Sequence, residues 1–201
     1  MSDRRYSRRD LFRLFGSRVK DAAEPVVDAV RPRRAPRADA PAAHAEALVW
    51  IRPPGYGAGS TEVCGGCDAC LDACGPGAII KLTDGTPGID PRRQPCLLCG
   101  DLPCIEACPS DVLQPMRTPS LARMAVAEII PDRCRHGRGE PCSDCYTACP
   151  LPSRAMALVT GGPSGPKPVV FTEGCTGCGA CLYDCPERPR AIRLIPAATP
   201  R

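Results

Sequence analysis

The sequence predicts an α+β fold in which two similar modules follow one another behind a largely disordered N-terminal tail. All sixteen cysteines lie between residues 64 and 185, in four sets of four. Short strand-like stretches flank these sets in a repeating order. Residues 1–47 contain no cysteine and are rich in Arg, Ala and Pro, a composition that buries too little apolar surface to fold. The predicted boundaries are therefore 1–47 for the tail, 48–118 for the first module and 119–201 for the second.

The second module shows the clearer strand pattern. Its order is strand, cysteine loop with a short helix, hairpin, cysteine loop with a short helix, and strand. The predicted strands are Ala125 to Ile130, Ala155 to Thr160, Pro168 to Thr172 and Ala191 to Ile195, with a turn-rich connection at 161–166. The first module is a looser copy, in which Asp84-Gly85 is a hairpin signal and Val112-Leu113 a short strand. Gly55 to Gly59 are expected to form a flexible lead-in.

The spacing within each set is typical of iron–sulfur ligands. Three cysteines two residues apart can surround one face of a cubane, and a fourth, three residues on, points towards a second cluster in two-cluster ferredoxins. Proline follows the fourth cysteine at Pro109, Pro150 and Pro186 and turns the chain away. The spacing predicts four [4Fe–4S] clusters, whose ligands are Cys64, Cys67, Cys70 and Cys74; Cys96, Cys99, Cys104 and Cys108; Cys134, Cys142, Cys145 and Cys149; and Cys175, Cys178, Cys181 and Cys185.

Two other uses of cysteine compete with this interpretation. A disulfide scaffold needs an oxidising compartment, and closely spaced triplets have poor disulfide geometry. Structural zinc usually joins two separated C-x2-C pairs. The third set departs from the motif, because seven residues separate Cys134 from Cys142. Cys134 could therefore be a free thiol, or His136 could replace it as a ligand. Arg135 and Arg138 in the same loop are expected to give this site the highest potential.

The composition limits both the core and the partners. Eight aromatic residues against 25 prolines and 19 glycines make a poor apolar core, so the clusters are expected to stabilise the fold. The formal net charge of +4 becomes about −4 once four oxidised cubanes are bound, since each loaded site adds about −2. A nucleic-acid partner is therefore excluded, and no apolar run reaches the length of a membrane span.

The N-terminal tail carries two signals. Arg8 and Arg9 form a twin-arginine pair, but the apolar stretch that an export signal needs does not follow. A cytoplasmic location is therefore expected, with export through an atypical signal as the alternative. Leu11, Phe12 and Phe15 fall on one face of a short amphipathic helix. That helix could bind a redox partner or a membrane surface, or have no role. Trp50 is expected to anchor the linker on the first module.

The arginine pair, the lead-in Ile51–Gly55 and four cysteine sets in this order resemble the NapF-type ferredoxins, relatives of the exported ferredoxin-type proteins MauM and NapG. The third set is the most specific match. The second, with Leu102-Pro103 before Cys104, is similar to sets in MauM, NapG and the electron-transfer subunits of molybdenum oxidoreductases. The resemblance implies bacterial-ferredoxin-like two-cluster modules that carry electrons to or from a partner oxidoreductase. The alternative is an accessory factor that assists assembly of a metalloenzyme such as a molybdenum-dependent nitrate reductase.

Catalysis is not expected, because neither His44 nor His136 has an acid–base partner in the sequence. The pairing of the sets stays open at this point. Adjacency would join sets one and two, and three and four, with the fourth cysteine of each set exchanged. A nested arrangement, as in oxidoreductase subunits, would join one with four and two with three.

Overall fold

The computed structural model describes residues 50–57, 60–162 and 164–197, all within one compact unit of mixed helix and strand. The elements are α1 Ser60–Val63, α2 Ala69–Asp72, β1 Ile79–Lys81, β2 Pro87–Ile89, α3 Pro103–Glu106, β3 Ala125–Ile129, α4 Asp144–Ala148, β4 Met156–Gly162, β5 Gly165–Val170, α5 Ala180–Asp184 and β6 Ile192–Pro196. Single 3-10 turns cover Pro119–Leu121, Pro131–Arg133 and His136–Arg138. The predicted tail, its amphipathic helix and His44 lie outside the described residues. Within these ranges, no helix has the length and apolar character to cross a bilayer.

The second half of the chain forms two antiparallel strand pairs. β3 pairs with β6, so that Ala125 lies opposite Pro196 and Ile129 opposite Ile192. β4 and β5 form a hairpin, and the cysteine loops with α4 and α5 connect the two pairs. All four predicted strands are present. The hairpin strands extend further into the turn-rich connection than predicted, since β4 reaches Gly162 and β5 begins at Gly165.

The first half repeats this plan with less strand. β1 and β2 form the hairpin predicted from Asp84-Gly85, and the Asp84 carboxylate accepts a hydrogen bond from the Thr86 amide at 2.9 Å. Isolated bridges, Ile51 to Ile89 and Tyr56 to Leu113, flank the hairpin where the second half has β3 and β6. The hairpin predicted for the first half is confirmed, whereas the outer strands of this half are reduced to single bridges.

Two expectations about the lead-in are wrong over residues 50–57, while residues 58 and 59 lie outside the described residues. Ile51 is fully buried whereas Trp50 is 37% exposed, so Ile51 anchors this segment. Gly55 packs tightly at φ +81°, where an added Cβ would lie 2.5 Å from the Gln114 carbonyl oxygen. The Gln114 amide donates to the Gly55 carbonyl at 2.8 Å. Small side chains and close backbone contact make this part of the lead-in an integral part of the fold.

The core is built from small aliphatic residues and cysteine. Ile51, Ile89 and Leu113 are almost completely buried, and six cysteines belong to the same buried cluster of both halves. Among the residues that the structure describes, aromatic side chains contribute only at its margin, through Tyr56 and Tyr146. The cysteine loops therefore occupy the place that large apolar side chains take in most domains of this size.

Candidate metal centres

Three of the four cysteine loops share a backbone conformation. The residue before the second cysteine has positive φ at Gly66, Leu98 and Gly177. The residue that begins the helix of the third cysteine is also left-handed, at Asp68, Leu102 and Gly179. Such alternation turns successive backbone N–H groups to one side, which creates a concave site for anionic groups. Leucine is rare in this conformation, so the loop geometry persists at Leu98 and Leu102 against local preference.

Site A consists of Cys64, Cys67, Cys70 and Cys108, which line one cavity. Burial, followed by the charge of Cys108 and then by those of Cys64 and Cys67, raises the pKa of Cys70 to about 11. Burial also acts to raise the pKa of Cys108, but amide hydrogen bonds, led by that of Leu113, lower it overall. The fourth cysteine of the second set thus joins the first three of the first set, in surroundings that favour its thiolate.

Site B consists of Cys74, Cys96, Cys99 and Cys104, which line a second cavity. Burial and then the charge of Cys74 raise the pKa of both Cys99 and Cys104, the latter to about 11. The Ala78 amide donates to Cys74 Sγ at 3.3 Å. This is the reciprocal exchange, since the fourth cysteine of the first set completes the second.

Site C consists of Cys134, Cys142, Cys145 and Cys185. Burial, then the charges of Cys134 and Cys142, raise the pKa of Cys145 to about 12, and Cys185 adds a smaller contribution. The Ala191 amide donates to Cys185 Sγ at 3.4 Å. Despite the long loop, Cys134 therefore lies with the other three cysteines. His136 Nε2 instead faces the Gly165 carbonyl oxygen at 3.1 Å.

Site D consists of Cys149, Cys175, Cys178 and Cys181, which line a further cavity. Burial, then the charges of neighbouring cysteines including Cys178 and Cys149, raise the pKa of Cys181 well above its usual value. The amide of Ala180 and the side chain of Thr176 form hydrogen bonds to Cys178 that act to lower its pKa. Cys149, the fourth cysteine of the third set, thus completes site D with three cysteines of the fourth set. Cys185, the fourth cysteine of the fourth set, completes site C in the same way.

These groups suit a bulky anionic cofactor. Each brings four sulfurs together, and backbone amides approach several of them, as required for tuning by hydrogen bonds. Three of the groups enclose a cavity. Across 50–57, 60–162 and 164–197, His, Cys, Asp and Glu form no group of three arranged around a single metal ion. The raised thiol pKa values mean that metal binding must release protons.

The sequence did not reveal one feature beside site C. Glu187, two residues after Cys185, accepts hydrogen bonds from Arg135 Nε at 2.7 Å and Arg138 Nη2 at 2.8 Å. These bonds, that of Arg138 first, lower the pKa of Glu187. The two arginines are expected to raise the potential of site C, and the Glu187 carboxylate balances part of their charge. No local motif links residues that are 49 and 52 positions apart.

The comparisons with known proteins give consistent relatives. The chain is 35% identical over 174 residues to the methylamine utilization ferredoxin-type protein MauM of Methylobacillus flagellatus, covering 76% of this chain and 70% of that protein. It is 33% identical over 165 residues to the ferredoxin-type protein NapG of Escherichia coli, covering 74% and 71%. It is 28% identical over 138 residues to NapF of Escherichia coli, covering 68% and 80%. No family model and no solved structure matches.

Sixteen cysteines in four groups and these relatives define an iron–sulfur protein of the electron-transfer class. The chain belongs to the family of ferredoxin-type proteins that includes MauM, NapG and NapF. The predicted resemblance is therefore confirmed, although the identity to MauM and NapG is higher than that to NapF. Ferredoxin-type proteins are electron carriers rather than catalysts, which supports the expectation that the chain is not an enzyme.

Proposed function

We propose that the chain carries electrons through four [4Fe–4S] clusters to or from a partner oxidoreductase. All sixteen cysteines are ligands: Cys64, Cys67, Cys70 and Cys108 at site A, Cys74, Cys96, Cys99 and Cys104 at site B, Cys134, Cys142, Cys145 and Cys185 at site C, and Cys149, Cys175, Cys178 and Cys181 at site D. The observation that carries the proposal is the grouping of four sulfurs at each of four places. Each cluster, when bound, supplies one-electron chemistry at a potential set by hydrogen bonds, charge and exposure.

The protein's own residues bind and tune these sites. The cysteine thiolates supply the ligands, and the left-handed residues at Gly66 and Gly177 turn the loop amides inward. Amide hydrogen bonds to Cys74, Cys108 and Cys185 offset negative charge on the sulfurs. With four cysteine ligands per site, each iron of a cubane would have a protein ligand and none would be open to substrate. This fits electron transfer better than catalysis.

The exchange of fourth cysteines supports two tandem modules of adjacent sets. Cys74 and Cys108 are exchanged between sites A and B, and Cys149 and Cys185 between sites C and D. This grouping favours the adjacent over the nested pairing. We place the modules at residues 48–118 and 119–201, each resembling a bacterial two-cluster ferredoxin.

The partner is proposed by class alone. The names of the relatives connect some of them with methylamine utilization, whereas NapG and NapF are named only as ferredoxin-type proteins. We therefore propose a redox protein or oxidoreductase as the partner. A cytoplasmic location stays a prediction, because the residues on which it depends lie outside the described ranges.

Anaerobic reconstitution of the full chain tests the proposal. Four cubanes predict about sixteen irons and sixteen acid-labile sulfides per chain, with the spectra of [4Fe–4S] centres in Mössbauer spectroscopy. Saturation near eight irons would refute two of the four sites. Tight binding of zinc without sulfide incorporation would refute the whole assignment.

A further inference from the structure

We infer that the four sites form one row in the order A, B, D, C, joined at its centre by a contact between Cys96 and Cys178. The two modules would then form a single electron path with sites A and C at its ends. This inference rests on the proposed function, since it assumes that the sites hold clusters, and it adds the order of the sites and the place where the modules meet.

The links within each module come from its helices. α2 carries Cys70 of site A and leads directly to Cys74 of site B, while α3 carries Cys104 of site B and leads to Cys108 of site A. α2 and α3 contact one another. α4 and α5 repeat this arrangement for sites C and D, and they also contact one another. Sites A and B are therefore neighbours, as are sites C and D.

The link between the modules lies at sites B and D. The Cys96 amide donates a hydrogen bond to the Cys178 carbonyl at 3.0 Å, so a ligand of site B directly contacts a ligand of site D. The charge of Cys178 also contributes to the raised pKa of Cys96, after burial and with a smaller opposing amide hydrogen bond. Within residues 50–57, 60–162 and 164–197, no backbone hydrogen bond joins a cysteine of site A to one of site C or D.

Neighbouring residues hold this junction closed. Gly179, next to Cys178, approaches Pro91 so closely that an added Cβ would lie 2.2 Å from Pro91 Cβ. Arg190, which follows α5 in the chain, donates from Nη2 to the Arg92 carbonyl at 3.3 Å. The proline ring is rigid, and so a side chain at position 179 must push the two modules apart.

Exposure agrees with this order at sites A, C and D, whereas Cys74, Cys96 and Cys99 of site B are half-buried. Cys175, Cys178 and Cys181 of site D are each at most 8% exposed, as expected for a site inside the row. Cys67 of site A is exposed. At site C, Cys134 borders an open groove between β3 and β5. Electrons would thus enter and leave at sites A and C, where external partners can approach.

The test replaces Gly179 with alanine in the full reconstituted chain. Electron paramagnetic resonance of the dithionite-reduced protein measures magnetic coupling between neighbouring reduced sites, through line broadening and microwave power saturation. In the wild type, the row predicts coupling that extends across both modules. In Gly179→Ala at unchanged iron content, we expect weaker broadening and a lower half-saturation power, because dipolar coupling decreases with the cube of distance. Gly179→Ala/Pro91→Gly should recover the wild-type signal, since it removes the opposing Cβ.

Gly165→Ala is the matched control. Gly165 also has positive φ, at +84°, but nothing lies within 4 Å of an added Cβ, so this variant carries the same backbone strain away from the junction. It should keep the wild-type coupling. Asp68 and Leu102 hold the equivalent left-handed position in sites A and B, which shows that such a loop accepts a side chain there.

The outcomes separate the inference from the proposed function. Wild-type coupling in a fully loaded Gly179→Ala protein would overturn the row. Failure of the wild type to bind iron and sulfide would overturn the cluster assignment instead. If Gly179→Ala alone loses iron, Pro91→Leu repeats the test from the other side of the junction without altering a residue of any cysteine loop, and unchanged coupling in it would equally overturn the inference.

Discussion

Replacing Glu187 with glutamine should raise the potential of site C. In the wild type, the Glu187 carboxylate lies between Arg135 and Arg138, at 2.7 and 2.8 Å from their nitrogens. Arg135 directly follows Cys134, and its positive charge acts to lower the pKa of Cys142, so it lies within electrostatic reach of the site. Removing this negative charge leaves the two arginines with Glu140 as their remaining carboxylate neighbour, at 4.0 Å from Arg138, and the larger net positive charge favours the reduced and more negative state.

The expected shift is modest and has a defined sign. A unit charge roughly 8 Å from a redox centre, at an effective dielectric constant of about 40–80, corresponds to roughly 20–45 mV in a one-electron couple. Glu187→Gln should therefore raise one midpoint potential of four by about this amount. Arg135→Gln/Arg138→Gln removes two positive charges and should lower the same potential by roughly twice as much.

Potentiometric titration followed by electron paramagnetic resonance measures both shifts. The pKa of Glu187 is lowered by hydrogen bonds from Arg138 and Arg135. Its carboxylate is therefore charged at pH values above its usual pKa and protonates only as the pH falls through the lowered value. A redox titration at pH 7 thus compares a charged Glu187 in the wild type with a neutral glutamine in the variant. Glu128→Gln is the control, because Glu128 pairs with Arg193 at 2.7 Å and lies on β3 rather than on a cysteine loop. Shifts of the same sign in both test variants would refute the reasoning.

Three further predictions concern the core and the ligands. Ile51→Ala should destabilise the loaded protein by about 2–5 kcal/mol, seen as a lower Tm, whereas Trp50→Ala should change the Tm little because Trp50 is partly exposed. Cys74→Ser, Cys104→Ser and their double variant should each lose the same single cluster, measured by iron content and spectra. Loss of two clusters in the double variant would refute the exchange, and Cys70→Ser/Cys74→Ser, which spans sites A and B, is the control that should lose two. Chelation of iron should abolish the ordered fold in circular dichroism, and a native-like spectrum of the iron-free chain would contradict this.

The local features of the fold could be predicted because they depend on neighbours in sequence. The hairpin at Asp84-Gly85 and the strand at Ala125–Ile129 follow from turn chemistry and alternation, and both are present. The grouping of Cys74 with the second set was open between two pairings, because that choice depends on how α2 and α3 pack. The spacing alone predicts which cysteines of one loop share a site. It does not predict which other helix packs against that loop and supplies the fourth cysteine.

Other features depend on contacts that sequence patterns do not encode. The hydrophobicity of Trp50 made it the expected anchor. Ile51 is instead the residue that pairs with Ile89: its amide donates to the Ile89 carbonyl at 3.2 Å, and its carbonyl accepts from the Ile89 amide at 2.9 Å. The partner of Arg135 and Arg138 comes from the far end of the next cysteine loop. Leu98 adopts a conformation that sequence rules assign to glycine, because the loop around site B imposes it. In each case, long-range packing overrides the local preference.

The junction between Cys96 and Cys178 follows from the same physical problem as the weak apolar core. With eight aromatic residues in the whole chain, neither half can bury a large apolar surface of its own, and the loop of the fourth cysteine set is buried throughout residues 174–179. When two such halves pack together, the surfaces that they bury against one another therefore include this loop. Contact between ligands of sites B and D then needs no separate binding device: the packing that stabilises the pair of modules also brings their redox sites together. A change that loosens this packing should accordingly lower both the stability of the chain and the coupling between its two halves.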